Sequence, residues 1–114
     1  MREYEITSCE YVYCRGEWES VEDSGRAWEF FDSREEALAA FNSSCYEPEF
    51  DGDGYDLRVY ELQEIRYDDD GEICDVDNID YRWPSDAQEA EWIDRRIEWN
   101  MRVHGYPFPN EKNA

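Results

Sequence analysis

The sequence predicts an α+β domain of two layers, an antiparallel sheet of about four strands with two helices on one face, in the order β-β-α-β-β-α. Three observations carry this reading. Segments near residues 3–14, 26–32 and 56–83 are rich in β-formers and alternate in polarity; a turn signal, Asp70-Gly71, divides the last of them; and Ser33 and Ser85 each open a stretch with helical spacing.

Taken in order, Glu3 to Cys14 alternates Tyr4, Ile6 and Ser8 against Glu5, Thr7 and Cys9 before turning aromatic at Tyr11 to Tyr13, a strand buried on both sides at its far end. Arg15 to Gly25 has glycines near its start and at its end and mixed charge between, so it reads as a polar connection or loose hairpin loop. Arg26 to Asp32 is the second strand, with Trp28 and Phe30 on one face. The spacing Ser33-Arg34-Glu35-Glu36 is that of a capping box, and Ala37, Leu38, Phe41 and Cys45 form the stripe of a short helix ending near Asn42-Ser43-Ser44. Tyr46 to Gly54 is too rich in turn residues for a central strand and reads as a loop or irregular edge.

Asp56 to Trp83 reads as a hairpin on a two-residue type I′ turn at Asp70-Gly71. That turn sets the register: Tyr67 with Cys74, Ile65 with Val76, Gln63 with Asn78, Leu62 with Ile79, Tyr60 with Tyr81. Beyond Gln63/Asn78 the apolar residues change face on both strands together, which predicts a twist or bulge there, a base in the core and a projecting acidic tip. The like charges Glu61/Asp80 and Glu64/Asp77 face each other at the switch. After Pro84, Ser85 and Gln88 have capping-box spacing and Gly105 supplies a stop, so a helix of about nineteen residues runs between them. Its stripe is Ala90, Ile93, Ile97 and Met101, widened by Trp92, Trp99 and Val103. Residues 1–107 form one domain, and 108–114 a loose tail.

Aromatic content of 17% supplies enough large side chains for a core, so this is not a disordered acidic tail. The charge is the outlier: 31 Asp and Glu against 11 Lys and Arg, formally −20, where a small domain is comfortable at a magnitude of about 2 to 8. Such a field repels nucleic acid and anionic membranes, which excludes both as direct partners and favours a basic protein. The N-terminus has no apolar signal segment and the chain no long apolar run, so the expected location is cytoplasmic. Four cysteines without a Cys-x-x-Cys pair read as reduced, buried thiols.

No constellation carries catalysis, and no cofactor is expected. Asp51-Gly52-Asp53-Gly54 invites a calcium loop, but counting from Glu49 puts Tyr60 where the bidentate glutamate belongs. Cys9 and Cys14 have opposite parity on a strand and do not converge on a zinc ion. His104, the only histidine, sits at a helix C-terminus, where a cation suits the dipole. The chain therefore reads as a binding protein, not an enzyme.

What remains is acid. Two rows are the candidate partner-binding residues: Glu47, Glu49, Asp51 and Asp53, and Asp68, Asp69, Asp70, Glu72, Asp75 and Asp77 around the hairpin tip. In an extended strand, carboxylates at i and i+2 stand about 6.8 Å apart, near the pitch of phosphates along a nucleic-acid strand. Trp18 or Tyr55 would anchor the contact. In size, charge and lack of catalytic motifs the whole chain resembles the small acidic phage-encoded inhibitors of restriction and CRISPR systems, many of them nucleic-acid mimics. The resemblance implies a blocker of a basic, nucleic-acid-handling host defence complex. The alternative is an orphan interaction domain whose acidity serves solubility or salt adaptation, forming a homodimer through Tyr67/Cys74 and Ile65/Val76.

Overall fold

A computed structural model describes residues 1–14 and 16–107. Position 15 and the expected tail at 108–114 lie outside the described residues. The order is β1 (Arg2–Cys14), β2 (Glu17–Ser20), β3 (Arg26–Phe31), α1 (Arg34–Phe41), a 3₁₀ turn (Ser44–Tyr46), β4 (Glu49–Gly52), β5 (Tyr55–Tyr67), β6 (Ile73–Arg82) and α2 (Asp86–His104).

The fold is still α+β, but its layout corrects the expected one: the sheet has six strands, not about four, and the helices lie on opposite faces, not one. The first extra strand, β2, sits in the segment read as a polar connection. There Trp18 alternates with exposed Glu17 and Glu19 and pairs with Tyr13. The second, β4, is a short edge on the start of β5, with Phe50 beside Leu57.

At the centre β1 and β5, 13 residues each, run antiparallel with Tyr4 opposite Glu64 and Tyr11 opposite Leu57. The outer edge of β1 is shared end to end by β3 and β2, and that of β5 by β6 and β4. Two strands of about 43 Å make a long body. Its extents are 58 × 28 × 21 Å, and its radius of gyration is 17.5 Å where a compact domain of about 100 residues has about 13 Å.

Alternation along β1 and β5 assigns the faces. Tyr4, Ile6, Tyr60 and Leu62 point one way and are buried with Ala37, Phe41 and Tyr46, so α1 covers the half of that face nearest the hairpin tip. Tyr11, Tyr13, Trp18 and Phe50 point the other way. Trp92 of α2 packs on them, 5.0 Å from Trp18, 5.8 Å from Tyr13 and 6.0 Å from Phe50 between ring centres, while Tyr11 meets Trp83 at 5.1 Å. The two cores are thus staggered diagonally across the sheet.

Both helices begin at the serines expected. The Ser33 hydroxyl accepts from the Glu36 amide, and Ser85 with Gln88 forms a full capping box. Gly105 ends α2 at φ 82, a left-handed conformation that glycine adopts without a Cβ clash. The buried face of α2 is rotated from the predicted stripe: Trp92 and Asn100 are buried, whereas Ala90 and Met101 are exposed. Trp92 defines that face because the surface it meets is aromatic. In β3 a bulge between Ala27 and Glu29 separates Trp28 from Phe30. Trp28 donates to Ser8 Oγ on the α1 face at 2.8 Å, and Phe30 stands opposite Glu5 on the other.

Candidate functional site

The hairpin presents the acids expected of a partner surface, with changes at both ends. Its middle register is as predicted, from Gln63/Asn78 through Ile65/Val76 to Arg66/Asp75. At the base an irregularity at Ile79 shifts the pairs to Leu62/Asp80 and Tyr60/Arg82, at the position where the apolar residues change face. At the tip Tyr67 pairs with Ile73, not Cys74. The loop spans Asp69 to Gly71, with the Asp68 and Glu72 backbones joined at 2.8 Å and only Gly71 at positive φ, a three-residue connection in place of the two-residue type I′ turn. Asp68 favours it: its Oδ1 accepts from the Asp70 and Glu72 amides, each at 2.9 Å.

Nor does the tip project far. Strand β1 follows β5 to Arg2/Arg66, and the Tyr67 amide donates to the Met1 carbonyl, so only Asp68 to Glu72 extend beyond the sheet. Strand β6 is the exposed member, with Ile73 60%, Val76 46% and Tyr81 59% accessible beside its acids.

The facing like charges are both resolved. Glu64, 6% exposed, lies between the guanidinium groups of Arg66 at 3.3 Å, Arg2 at 3.4 Å and Arg34 at 3.8 Å. Arg66 also binds Asp77, and Asp75 at 3.7 Å, so one arginine bridges the glutamate and aspartate that would repel. The Asp77 charge raises the Arg66 pKa above its ordinary value, against a smaller opposing effect of burial. Glu61 escapes Asp80 through the bulge, and its carboxylate accepts from Asn78, from Gln63 at 2.7 Å and from Thr7 at 3.4 Å.

The ten predicted acids do not form one surface. Glu47, Glu49 and Asp51 flank the start of β5, and Asp68 to Asp77 its end, some ten residues or about 33 Å away. Several are also spent internally. Glu47 pairs with Arg82 at 3.1 Å, Glu49 with Arg58 at 3.3 Å, and Asp51 with Arg96 at 3.7 Å while accepting from Trp92 Nε1 at 2.8 Å. With Asp75 and Asp77 on Arg66, that leaves Asp53, Asp68, Asp69, Asp70 and Glu72 exposed with no ion pair among the described residues, Asp68 being occupied by the turn's own amides. The proposed anchors are engaged too: Trp18 is packed against Trp92, and Tyr55 lies under the Arg58 guanidinium at 4.5 Å.

Sequence reasoning missed the Glu64 cluster because its arginines come from positions 2, 34 and 66. It also missed a groove between the start of β5 and the last turns of α2, lined by Tyr55, Trp99, Arg95 and Arg102. The spacing of the last three, at i, i+4 and i+7, was the available signal. Among the described residues no helix is long and apolar enough to cross a membrane. Compared with known proteins, the chain matches no family, no curated sequence and no solved structure.

Proposed function

We propose that this protein is an acidic binding protein that blocks or sequesters a basic, nucleic-acid-handling partner as a nucleic-acid mimic, a host defence complex of the restriction or CRISPR type being the finer reading. One observation carries it. With a formal net charge of −20 and a body 58 Å long, the chain carries on the order of one net negative charge per 3 Å, within a factor of two of the one charge per ~1.7 Å of a duplex.

Arginine pairing removes part of that field, so the working contact shifts to the carboxylates left open. Asp69, Asp70 and Glu72 stand at one end and Asp53 at the other, a spacing suited to a long basic groove. Long-range charge speeds encounter, but affinity needs buried apolar anchors. Ile73, Val76 and Tyr81, exposed beside the acids of β6, supply them in place of Trp18 and Tyr55.

The test is capture of the host partner followed by competition. The captured protein should release bound DNA or RNA on adding this chain, and Asp69→Lys/Asp70→Lys/Glu72→Lys should abolish the release. Undiminished competition by the triple variant would refute the assigned surface.

A second reading has its own observation, the exposed outer side of β6 with Ile73 and Val76. A homodimer there would bring Asp75, Asp77 and Asp80 of two copies together, so it should form only where salt screens them. Light scattering across a salt series separates the readings, because a dimer at low salt contradicts this electrostatic account.

A further inference from the structure

The groove beside α2 differs in charge from the rest of the molecule. Six described arginines pair with carboxylates: Arg2, Arg34, Arg58, Arg66, Arg82 and Arg96. Arg26 lies over the Trp28 ring at 4.2 Å. Only Arg95 and Arg102, among the described residues, have neither kind of partner, in a chain with 31 acids. Both line one cavity of about 920 Å³, a size typical of small-molecule sites.

Their placement on α2 gives the cavity a direction. Seven residues separate them, about 10 Å along the axis and nearly two full turns, so both point to the same side. Trp99 stands between them, 42% exposed, on the stripe that Trp92 begins. Trp92 is covered by the sheet, whereas Trp99 continues the stripe beyond that packing and stays partly exposed, with the Arg96 guanidinium 5.8 Å from its ring centre and the His104 ring at 5.5 Å. The floor is already built. Arg96 is held by Asp56 at 2.5 Å and by Asp51 at 3.7 Å, so the two aspartates that line the groove are already paired with a third arginine. Glu98 also faces the groove, but it lies within ion-pair distance of neither arginine.

We propose that this groove binds a nucleoside phosphate, with the ring stacked on Trp99 and the phosphates held by Arg95 and Arg102. Guanidinium groups match phosphate oxygens in pairs, and a partly exposed indole offers its free surface to any base. The net charge of −20 selects the size of the ligand. A mononucleotide places all its charge within reach of the two arginines, while a longer strand meets the acids on either side. The site is separate from the acidic tip, so its failure leaves the mimicry reading standing, and the reverse.

Isothermal titration with the intact chain tests it, using ATP, pyrophosphate, adenosine and a twelve-nucleotide single-stranded DNA as probes. ATP is expected to bind at least tenfold more tightly than pyrophosphate, adenosine or the oligonucleotide. Trp99→Ala should weaken ATP at least about fivefold, the lower range of base stacking. Arg95→Gln/Arg102→Gln should weaken ATP at least tenfold and leave adenosine unchanged. All three side chains are exposed, so the variants should keep the parent circular-dichroism spectrum. The proposal is overturned by no heat with millimolar ATP, by equal binding in the folded variants, or by an oligonucleotide that binds as tightly as ATP.

Discussion

Replacing Trp92 with alanine should release α2 while leaving the α1 side of the sheet folded. The indole is 2% exposed, touches the rings of Trp18, Tyr13 and Phe50, and donates to Asp51. A tryptophan so placed buries about 200 Å², which at ~25 cal/mol per Å² gives about 5 kcal/mol as an upper bound. Compactness of the unfolded chain lowers this to about 3–4 kcal/mol, inside the range of ~3–5 kcal/mol for such truncations. A helix of 19 residues without its docking face is marginal in water, so undocking should melt it. Because α1 has only 8 residues, most of the helical signal near 222 nm should disappear, and limited proteolysis should cut within residues 86–104. Phe41→Ala, on the opposite face, should damage the α1 core and spare α2. A Trp92→Ala protein that keeps its helical signal, or that loses sheet and both helices in a single transition at lower urea, would refute the division into two cores.

Two further substitutions probe the charges. Glu64→Gln should cost about 1 kcal/mol in urea unfolding, because the arginines it serves are well exposed and regain water, and the loss should shrink in ~1 M salt. No change, or a loss insensitive to salt, would remove the cluster from the account of stability. Glu5 carries the opposite sign: burial, with the Glu3 charge adding, raises its pKa above the ordinary 4.5. The folded state thus holds that proton more tightly than the unfolded one, and the charged form costs stability that is recovered as pH falls through the raised value. Glu5→Gln should therefore raise the urea midpoint at pH 7, with the gain vanishing below pH 4.5, and a gain that persists in acid would contradict the assignment.

Local chemistry was legible residue by residue. Ser33, Ser85 and Gly105 mark their helix ends because capping is satisfied within one turn of chain. The hairpin's middle register and the site of its bulge followed from facing residues close in sequence. Even the opposed cores had a trace, since β1 is apolar at Tyr4 and Ile6 and then, one step out of phase, at Tyr11 and Tyr13. Taken alone, that phase change predicts burial on both sides at one end; in the fold it reflects a different helix covering each face at each end.

The candidate site was legible only as composition. An acid's identity is in the sequence, but whether its charge reaches a partner depends on which arginine lies across the sheet. Asp75 and Asp77 meet Arg66 by strand pairing, and Asp51 meets Arg96 only because α2 docks beside β4. By itself the sequence determined the elements with local signals, the chain's excess of negative charge and the absence of a recognisable catalytic motif. Tertiary structure alone decided that the helices oppose one another, that five predicted contact acids are neutralised, and that Arg95 and Arg102 remain open around Trp99. The reason is physical: caps and turns are satisfied within a few residues, whereas ion pairs and face coverage join groups from distant parts of the chain, as Arg2 with Glu64 and Tyr13 with Trp92 do.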